Sequence, residues 1–413
     1  MTPTKSPTYC VLPWIHQNLS VNGWYKPCCN SHSRYKDVTV KNATLQEAFT
    51  GKEATALRTQ LTMGLRPEIC DTCWVKEDAG VWSYRQAYNE KFATLIPKDN
   101  NPVLKYIDMK FDNVCNFQCR MCDPDSSDQI WKSIDLLNEK GLTLPNHIGK
   151  YTEEDRKFDF KQTVKKDYVK EVLETIDIFK VTGGEPFLSK DFFEILNLAI
   201  EKDLAKNITL MITTNASKFV KKILDKFKHF KRVEFTISVD GYGEVYDYIR
   251  YPYSFKQWAK RMDEAVRFGH ETGMKDDNKL VLKTACVVQA YNWLNLADLF
   301  FYMKGLGMPE WRLLERLDFD LDLNPRDSEL HPRYLPDHIL DLGLERFKAT
   351  GHRQVEDFEN FVAYHKANRQ DEMEFKNRQL YVATVNFDEV RNQSYKTLDP
   401  VLVKWLNTLN HQT

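Results

Sequence analysis

Residues 103–317 alternate short apolar segments with longer segments of helical periodicity, and this alternation constrains the fold more than any other feature of the sequence. The apolar segments are rich in β-branched and aromatic residues, which is typical of buried strands. They cover residues 103–111, 176–182, 208–213, 233–239, 280–288 and 310–314. Helical patterns separate most of them, at 190–203, 219–227, 255–272 and 294–304. Strands that alternate with helices predict parallel βα units with right-handed crossovers, and therefore an α/β fold.

Two further regions flank this segment. Residues 1–95 hold a first group of cysteines, and a polar, proline-bounded linker follows them at 97–102. Residues 318–413 are charged and mostly helical in pattern, without a motif of chemical interest. We therefore predict a small N-terminal cysteine-rich domain at 1–95, a central α/β domain at 103–317 and a mainly helical C-terminal region at 318–413.

The charge balance gives no strong signal for nucleic-acid binding. The 413 residues contain 58 Lys and Arg against 59 Asp and Glu, a net charge of −1, whereas nucleic-acid-binding domains are usually strongly basic. The lysine-rich stretch at 218–232 shows no obvious aromatic stacking platform, so we interpret it as a solvated helix face. The sequence has no run of 18 apolar residues, and residues 1–15 do not resemble a signal peptide. We expect a cytoplasmic protein without a membrane span.

The cysteines are clustered, and their number is odd. Eight of the nine lie in the first 122 residues, and no export signal precedes them. A disulfide framework is therefore disfavoured. Clustered thiols in a reducing compartment usually bind metal or carry redox chemistry.

Three cysteines form a C-x3-C-x2-C array on one short segment, at Cys115, Cys119 and Cys122. No fourth cysteine is close, and the nearest downstream histidine is His147, 25 residues further on. A structural zinc site needs four ligands, whereas a four-iron cluster held by three thiolates keeps one iron open for another ligand. The array therefore favours an iron–sulfur cluster, with zinc as the alternative.

A second group supplies a complete four-thiolate set from Cys10, Cys28, Cys70 and Cys73. By itself this set fits zinc and an iron–sulfur cluster equally well. Cys29 is either the ligand in place of Cys28 or a spare thiol. The remaining Cys286 lies in a predicted strand and is interpreted as a buried apolar residue, with a catalytic thiol as the alternative.

Polar motifs follow the ends of four successive predicted strands. They are Cys115, Thr182-Gly183-Gly184-Glu185-Pro186, Thr213-Thr214-Asn215 and Ser238-Val239-Asp240-Gly241. Each motif has an ordinary explanation as a turn, a helix N-cap or a loop. In a (β/α) barrel, however, the C-terminal ends of the strands meet at one rim, which carries the active site. The shared location of all four motifs predicts a single site there.

This combination resembles the radical S-adenosylmethionine (SAM) superfamily over residues 103–317. The resemblance rests on the cysteine array, on the Gly-Gly-Glu-Pro motif and on the strand-end motifs that follow it. It implies a partial (β/α)6 TIM-like barrel and a 4Fe-4S cluster on Cys115, Cys119 and Cys122, whose open iron SAM chelates. It also implies SAM contacts from the residues Gly183, Gly184, Glu185, Asn215, Ser238 and Arg250.

The N-terminal cysteines are similar to those of the auxiliary-cluster domains called SPASM and twitch, although those domains usually follow the barrel. This likeness implies an auxiliary 4Fe-4S cluster on Cys10, Cys28, Cys70 and Cys73, with zinc as the alternative. Together the resemblances imply reductive cleavage of SAM to a 5′-deoxyadenosyl radical, which abstracts hydrogen from a substrate. The electron donor would be a flavodoxin or a ferredoxin. A peptide or protein is the first expected substrate and a small metabolite or nucleotide the second; a non-catalytic zinc or iron–sulfur scaffold is the alternative of another class.

Overall fold

A computed structural model describes residues 6–78, 82–97, 101–159, 164–274, 277–306, 316–317, 328–368 and 372–410. Its centre is one sheet of eight strands. They are β1 (His16–Leu19), β2 (Tyr25–Lys26), β3 (Tyr106–Lys110), β4 (Ile178–Thr182), β5 (Thr209–Thr214), β6 (Arg232–Ser238), β7 (Leu280–Cys286) and β8 (Arg316–Leu317). Their order is β2-β1-β3-β4-β5-β6-β7-β8, and only the β1–β2 pair is antiparallel.

Helices connect and flank the strands. The N-terminal ones are α1 (Leu12–Ile15), α2 (Leu45–Thr50), α3 (Lys52–Thr62), α4 (Asp71–Asp78) and α5 (Tyr84–Lys91). Those between β3 and β8 are α6 (Ile130–Glu139), α7 (Asn146–Gly149), α8 (Glu153–Arg156), α9 (Val164–Val172), α10 (Lys190–Glu201), α11 (Lys221–Leu224), α12 (Glu244–Ile249), α13 (Phe255–Glu271) and α14 (Leu296–Gly305). The C-terminal ones are α15 (Asp337–Lys348), α16 (Val355–Ala367), α17 (Met373–Arg391) and α18 (Pro400–Leu409). No described helix combines the length and the apolar character needed to cross a bilayer.

The two faces of the sheet differ in polarity because successive strand residues point to opposite sides. Ile107, Phe179, Leu210 and Phe235 are at most 1% exposed and belong to the main apolar core. The opposite face carries the hydrogen-bonded row Asp108, Lys180, Met211 and Glu234. In a partial barrel this polar face is the inner one, so the barrel interior is lined by charged and polar side chains.

The α/β partial barrel predicted from the sequence is confirmed, and the strands start or end within a few residues of the predicted ones. The predicted strand at 310–314 lies outside the described residues. Three strands were not predicted: β1, β2 and β8. Because β1 and β8 pair in parallel with β3 and β7, the parallel part of the sheet has seven strands. Within the described residues the edge strands β2 and β8 do not pair, so the sheet is open. The proposed division of the chain near residue 95 remains a prediction.

The C-terminal helices pack against the barrel rather than away from it. Phe387 of α17 lies in an apolar cluster with Ile130, Trp131 and Ile134 of α6, the helix that follows the cysteine array. Asn386 of α17 also donates a hydrogen bond to the carbonyl of Thr143 (2.9 Å). The helix α17 therefore lies behind the segment that carries Cys115, Cys119 and Cys122.

Candidate active site

The three cysteines of the array lie on an ordered loop between β3 and α6. The Asp128 backbone N–H donates to the Asn113 carbonyl (2.9 Å), and the Asp128 carboxylate accepts from the Cys115 N–H (3.1 Å). The Ser127 hydroxyl donates to the Phe117 carbonyl (2.6 Å). These bonds join the two ends of the loop and hold the three cysteines within one closed loop.

The thiols of the loop converge. The side chains of Cys119 and Cys122 hydrogen-bond to each other, and the Phe117 N–H donates to the Cys115 sulfur (3.4 Å). Burial, followed by the neighbouring Cys119, raises the pKa of Cys115 to about 12. The pKa of Cys119 is lowered by the hydrogen bond with Cys122, and the charges of Arg250 and Arg391 also lower it. Free thiols that share one electrostatic environment fit an iron–sulfur cluster, which requires them as thiolates.

The two glycines after β4 allow the cysteine loop to approach the sheet. A Cβ on Gly184 would lie 2.1 Å from the Val114 carbonyl oxygen, and one on Gly183, whose φ is +131°, would lie 2.8 Å from that of Asp112. In this close approach the Gly184 N–H donates to the Asp112 carbonyl (3.2 Å), and the Glu185 N–H donates to the Val114 carbonyl (2.7 Å). The visible role of the glycines is therefore close backbone packing, and their contact with SAM remains a prediction.

Glu185 ties the end of β4 to the end of β5. Its carboxylate is 1% exposed and accepts hydrogen bonds from the Thr214 hydroxyl (2.7 Å), the Asn215 N–H (2.7 Å) and the Phe187 N–H (3.2 Å). Burial raises the pKa of Glu185 to about 7. The carboxyl is thus held in one position beside the cysteine loop.

Asn215 contacts the cysteine loop directly. Its amide donates to Asn116 Oδ1 (3.1 Å) and approaches the Cys115 sulfur (3.9 Å), while its own oxygen accepts from the Ser217 N–H (2.9 Å). The next residue, Ala216, is buried with φ +62°, a conformation that costs energy for a residue with a Cβ. The chain therefore turns sharply where β5 meets the site.

Arg250 is buried and paired with Asp240. Its Nε donates to Asp240 Oδ2 (2.6 Å), and the other oxygen of Asp240 accepts from the Val287 N–H (2.7 Å). The charge of Arg250 acts on all three thiols of the loop and on Glu185. Ser238 closes β6 beside Ala285 on the inner face of the sheet. Among the described contacts, it makes none to the cysteine loop.

Sequence reasoning missed two charged residues of this site. Asp240 stands inside the quoted Ser238–Gly241 motif, so its position was a usable signal. Arg120 stands between Cys119 and Cys122 and is completely buried. Its partners lie in α12 and in the C-terminal region, which no local pattern indicates.

The N-terminal cysteines line a cavity apart from the cysteine loop. Cys10, Cys28, Cys70 and Cys73 all line it, together with Tyr84, Arg85 and Tyr88. Burial raises the pKa of each of these four thiols, and neighbouring thiols raise that of Cys10, Cys28 and Cys70 further. Four free thiols facing one enclosed space fit a fully ligated cluster.

Cys29 does not line this cavity and faces the barrel interior instead. Its sulfur accepts from the Lys180 ammonium (3.4 Å) and lies 3.9 Å from the Tyr88 hydroxyl. Lys180 is paired with Asp108 on the neighbouring strand (2.7 Å). The structure therefore brings Cys28 rather than Cys29 to the other three thiols.

Cys286 ends β7 at 1% exposure on the apolar side of the sheet, and the Asn292 amide donates to its sulfur (3.5 Å). Within the described ranges, no three His, Cys, Asp or Glu side chains are arranged to hold one metal ion. That finding concerns one-ion sites, whereas the ligands of a four-iron cluster bind different irons.

The segment that carries this geometry matches a known family. Residues 109–277 match the family model described as Radical SAM superfamily. A curated relative, the GTP 3′,8-cyclase of Aquifex aeolicus (strain VF5), is 24% identical over 262 residues, which are 61% of this chain and 68% of the relative.

Solved structures with a likeness to the chain include native anSMEcpe with bound AdoMet (18% identity, TM-score 0.34, 61% of this chain). Another is Streptococcus suis SuiB bound to the precursor peptide SuiA (14% identity, TM-score 0.30, 72% of this chain). The chain spans 61% of the length of each of these two proteins. Because the matched segment contains the cysteine loop, the Gly-Gly-Glu-Pro motif and Arg250, residues 109–277 form a domain of the radical SAM superfamily.

Proposed function

We propose that this enzyme cleaves SAM reductively and abstracts a hydrogen atom from a peptide or protein substrate. The observation that carries the proposal is the convergence of three free thiols, Glu185, Asn215 and Arg250 at one rim of the sheet. Cys115, Cys119 and Cys122 would hold a 4Fe-4S cluster. Bound SAM and the reduced cluster supply a 5′-deoxyadenosyl radical, which is reactive enough to attack an unactivated C–H bond.

The remaining residues of the rim would position SAM. The guanidinium of Arg250 is held by Asp240 and is suited to a carboxylate partner. Asn215 offers an amide beside the cysteine loop, and Glu185 fixes the strand ends on which these groups stand. Gly183 and Gly184 keep the loop against the sheet, and Ser238 would contact the nucleoside from the inner face. The chain thus contributes position and exclusion of water.

The N-terminal thiols support a second proposal about cofactors. Cys10, Cys28, Cys70 and Cys73 would hold an auxiliary 4Fe-4S cluster, which has no open iron and therefore suits electron transfer. Tyr88 of α5 lines their cavity, and its hydroxyl lies 3.9 Å from the sulfur of Cys29, which faces the barrel interior. A flavodoxin or ferredoxin would supply the electron for SAM cleavage.

A nucleotide or other small molecule is the second candidate substrate. The observation that favours it is the 24% identity to a GTP 3′,8-cyclase, whereas the similarity of the N-terminal cysteines to SPASM and twitch domains favours a peptide. The rate of 5′-deoxyadenosine formation separates the two. Stimulation by a synthetic peptide library, and not by GTP, is expected; stimulation by GTP alone would replace the peptide with a nucleotide.

The cleavage reaction itself is tested first. Protein reconstituted anaerobically with iron and sulfide is treated with dithionite and SAM, beside the Cys115→Ala/Cys119→Ala/Cys122→Ala variant. We expect 5′-deoxyadenosine from the intact protein only, with about eight irons per chain, as two four-iron clusters require. About four irons with activity retained would assign the N-terminal cysteines to zinc or to a structural role. Equal trace amounts of 5′-deoxyadenosine from both proteins would contradict the enzymatic function and favour a non-catalytic, metal-bound scaffold.

A further inference from the structure

The two residues that flank Cys119 are each tied to the C-terminal helix α17. On one side, Arg120 is completely buried, and its Nη2 donates to Asp388 and to Gln393 Oε1 (3.0 Å). Its Nε donates to the Tyr248 carbonyl (3.0 Å), and its guanidinium lies 3.6 Å from the centre of the Tyr248 ring. A planar guanidinium with several fixed partners leaves the loop little freedom at this position.

On the other side of Cys119, Arg391 of α17 is connected to Gln118 by two consecutive hydrogen bonds through Ser133. The Arg391 Nη2 donates to the Ser133 hydroxyl (3.2 Å), and that hydroxyl donates to Gln118 Oε1 (2.7 Å). Arg391 itself is 4% exposed and lies over the Phe387 ring (4.0 Å). Its charge is one of two buried guanidinium charges that act on the Cys119 thiol. Helix α17 therefore supports Cys119 from both neighbours and adds a positive charge beside it.

We propose that α17 is part of the cluster site: Asp388 and Arg391 are positioning residues that hold Cys119 as a ligand, and Arg391 raises the reduction potential of the cluster. The inference rests on the proposed function. Reduction adds negative charge to the cluster, and a positive charge nearby in the low-dielectric interior stabilises the reduced form. Removing that charge must therefore lower the potential.

Arg391→Gln tests the electrostatic part because glutamine keeps a donor for Ser133 and loses the charge. The control is Glu389→Gln on the same helix, whose carboxylate is half exposed and pairs with Lys140 at the surface. The midpoint potential is measured by electron paramagnetic resonance for the cluster whose signal SAM perturbs. We expect a lower potential for Arg391→Gln, and wild-type values for Arg391→Lys and Glu389→Gln. Equal potentials for Arg391→Gln and Glu389→Gln would overturn this role.

Hydrogen exchange of the wild-type protein tests the positioning part without a variant of α17. We expect cluster loading to slow exchange in residues 385–393 and to leave α15 and α16 unchanged, because among the described contacts α17 is bonded to the loop and these two helices are not. Equal exchange at 385–393 with and without the cluster would overturn the inference. A failure of the proposed function would be distinguishable, because the wild-type protein would then show no cluster signal that SAM perturbs.

Discussion

Single residues of the site make the stability of the protein depend on pH, and Glu185 is the clearest case. Burial raises its pKa from 4.5 to about 7 in the folded protein, so the folded state binds more protons than the unfolded state between these values. The free energy of unfolding therefore falls as pH rises from about 4.5 to 7, by about 3 kcal/mol from this group. Denaturant unfolding of the apo wild-type protein and of the Glu185→Gln variant at several pH values measures this change in the free energy of unfolding. An identical pH dependence of the two proteins would contradict this expectation.

Gly184 is a second single residue on which the stability of the site depends, here for steric reasons. A methyl group there would lie 2.1 Å from a backbone oxygen of the cysteine loop, which cannot rotate away. We expect Gly184→Ala to destabilise the apo protein by about 3 kcal/mol, as overpacking does, and to lower the iron retained after reconstitution. Gly305→Ala is the control, because no atom of the described residues lies within 4 Å of a Cβ at that helix end. Equal unfolding curves and iron contents for the two variants would contradict this prediction, because they would show that the cysteine loop moves to accommodate the methyl group.

The sequence was sufficient to place most of the site residues at one rim, because motifs at the ends of parallel strands must meet. It could not show that Glu185 bonds to Thr214 and Asn215, since those contacts depend on the register of β4 against β5. It also gave no sign that Arg120 is buried. Nothing near it in the sequence indicates a carboxylate partner 268 residues away.

At the scale of elements, β1 shows where pattern reading fails. Its sequence, His-Gln-Asn-Leu, has one apolar residue and no β-branched residue, and all four residues are nevertheless buried. Pairing with β3 and polar contacts such as Asn18 Nδ2 to the Asp108 carbonyl (3.2 Å) replace the missing apolar signal. Tertiary context therefore decides this strand, as it often does for short edge and near-edge strands.

The loop after β2 gives a prediction with a built-in control, since it places two adjacent cysteines in different surroundings. Cys28 lines the cavity with the other N-terminal thiols, and Cys29 contacts Lys180. We expect Cys28→Ser to lower the iron content and the auxiliary-cluster signal, and Cys29→Ser to leave both unchanged. A loss of iron in Cys29→Ser alone would reverse the assignment of the ligand.

At the scale of the whole molecule, segments distant in sequence contribute to one partial barrel. The N-terminal region supplies β1 and, through α5, an ion pair from Lys91 to Glu234 of β6 (3.5 Å). The C-terminal region supplies α17 behind the cysteine loop. The division of the chain into three regions remains a prediction, and these contacts show that both flanking regions pack against the central sheet.

The pairing of Arg120 with Asp388 also bears on biosynthesis. The residues are separated by 268 positions, and at ribosomal rates of about 5–20 residues per second the carboxylate follows the arginine by roughly 10 to 50 s. During that interval the cysteine loop of the nascent chain has no contact with α17. The Arg120 side chain of the loop can therefore become paired and fully buried only after α17 has been synthesised, well after the strands that carry the other residues of the site.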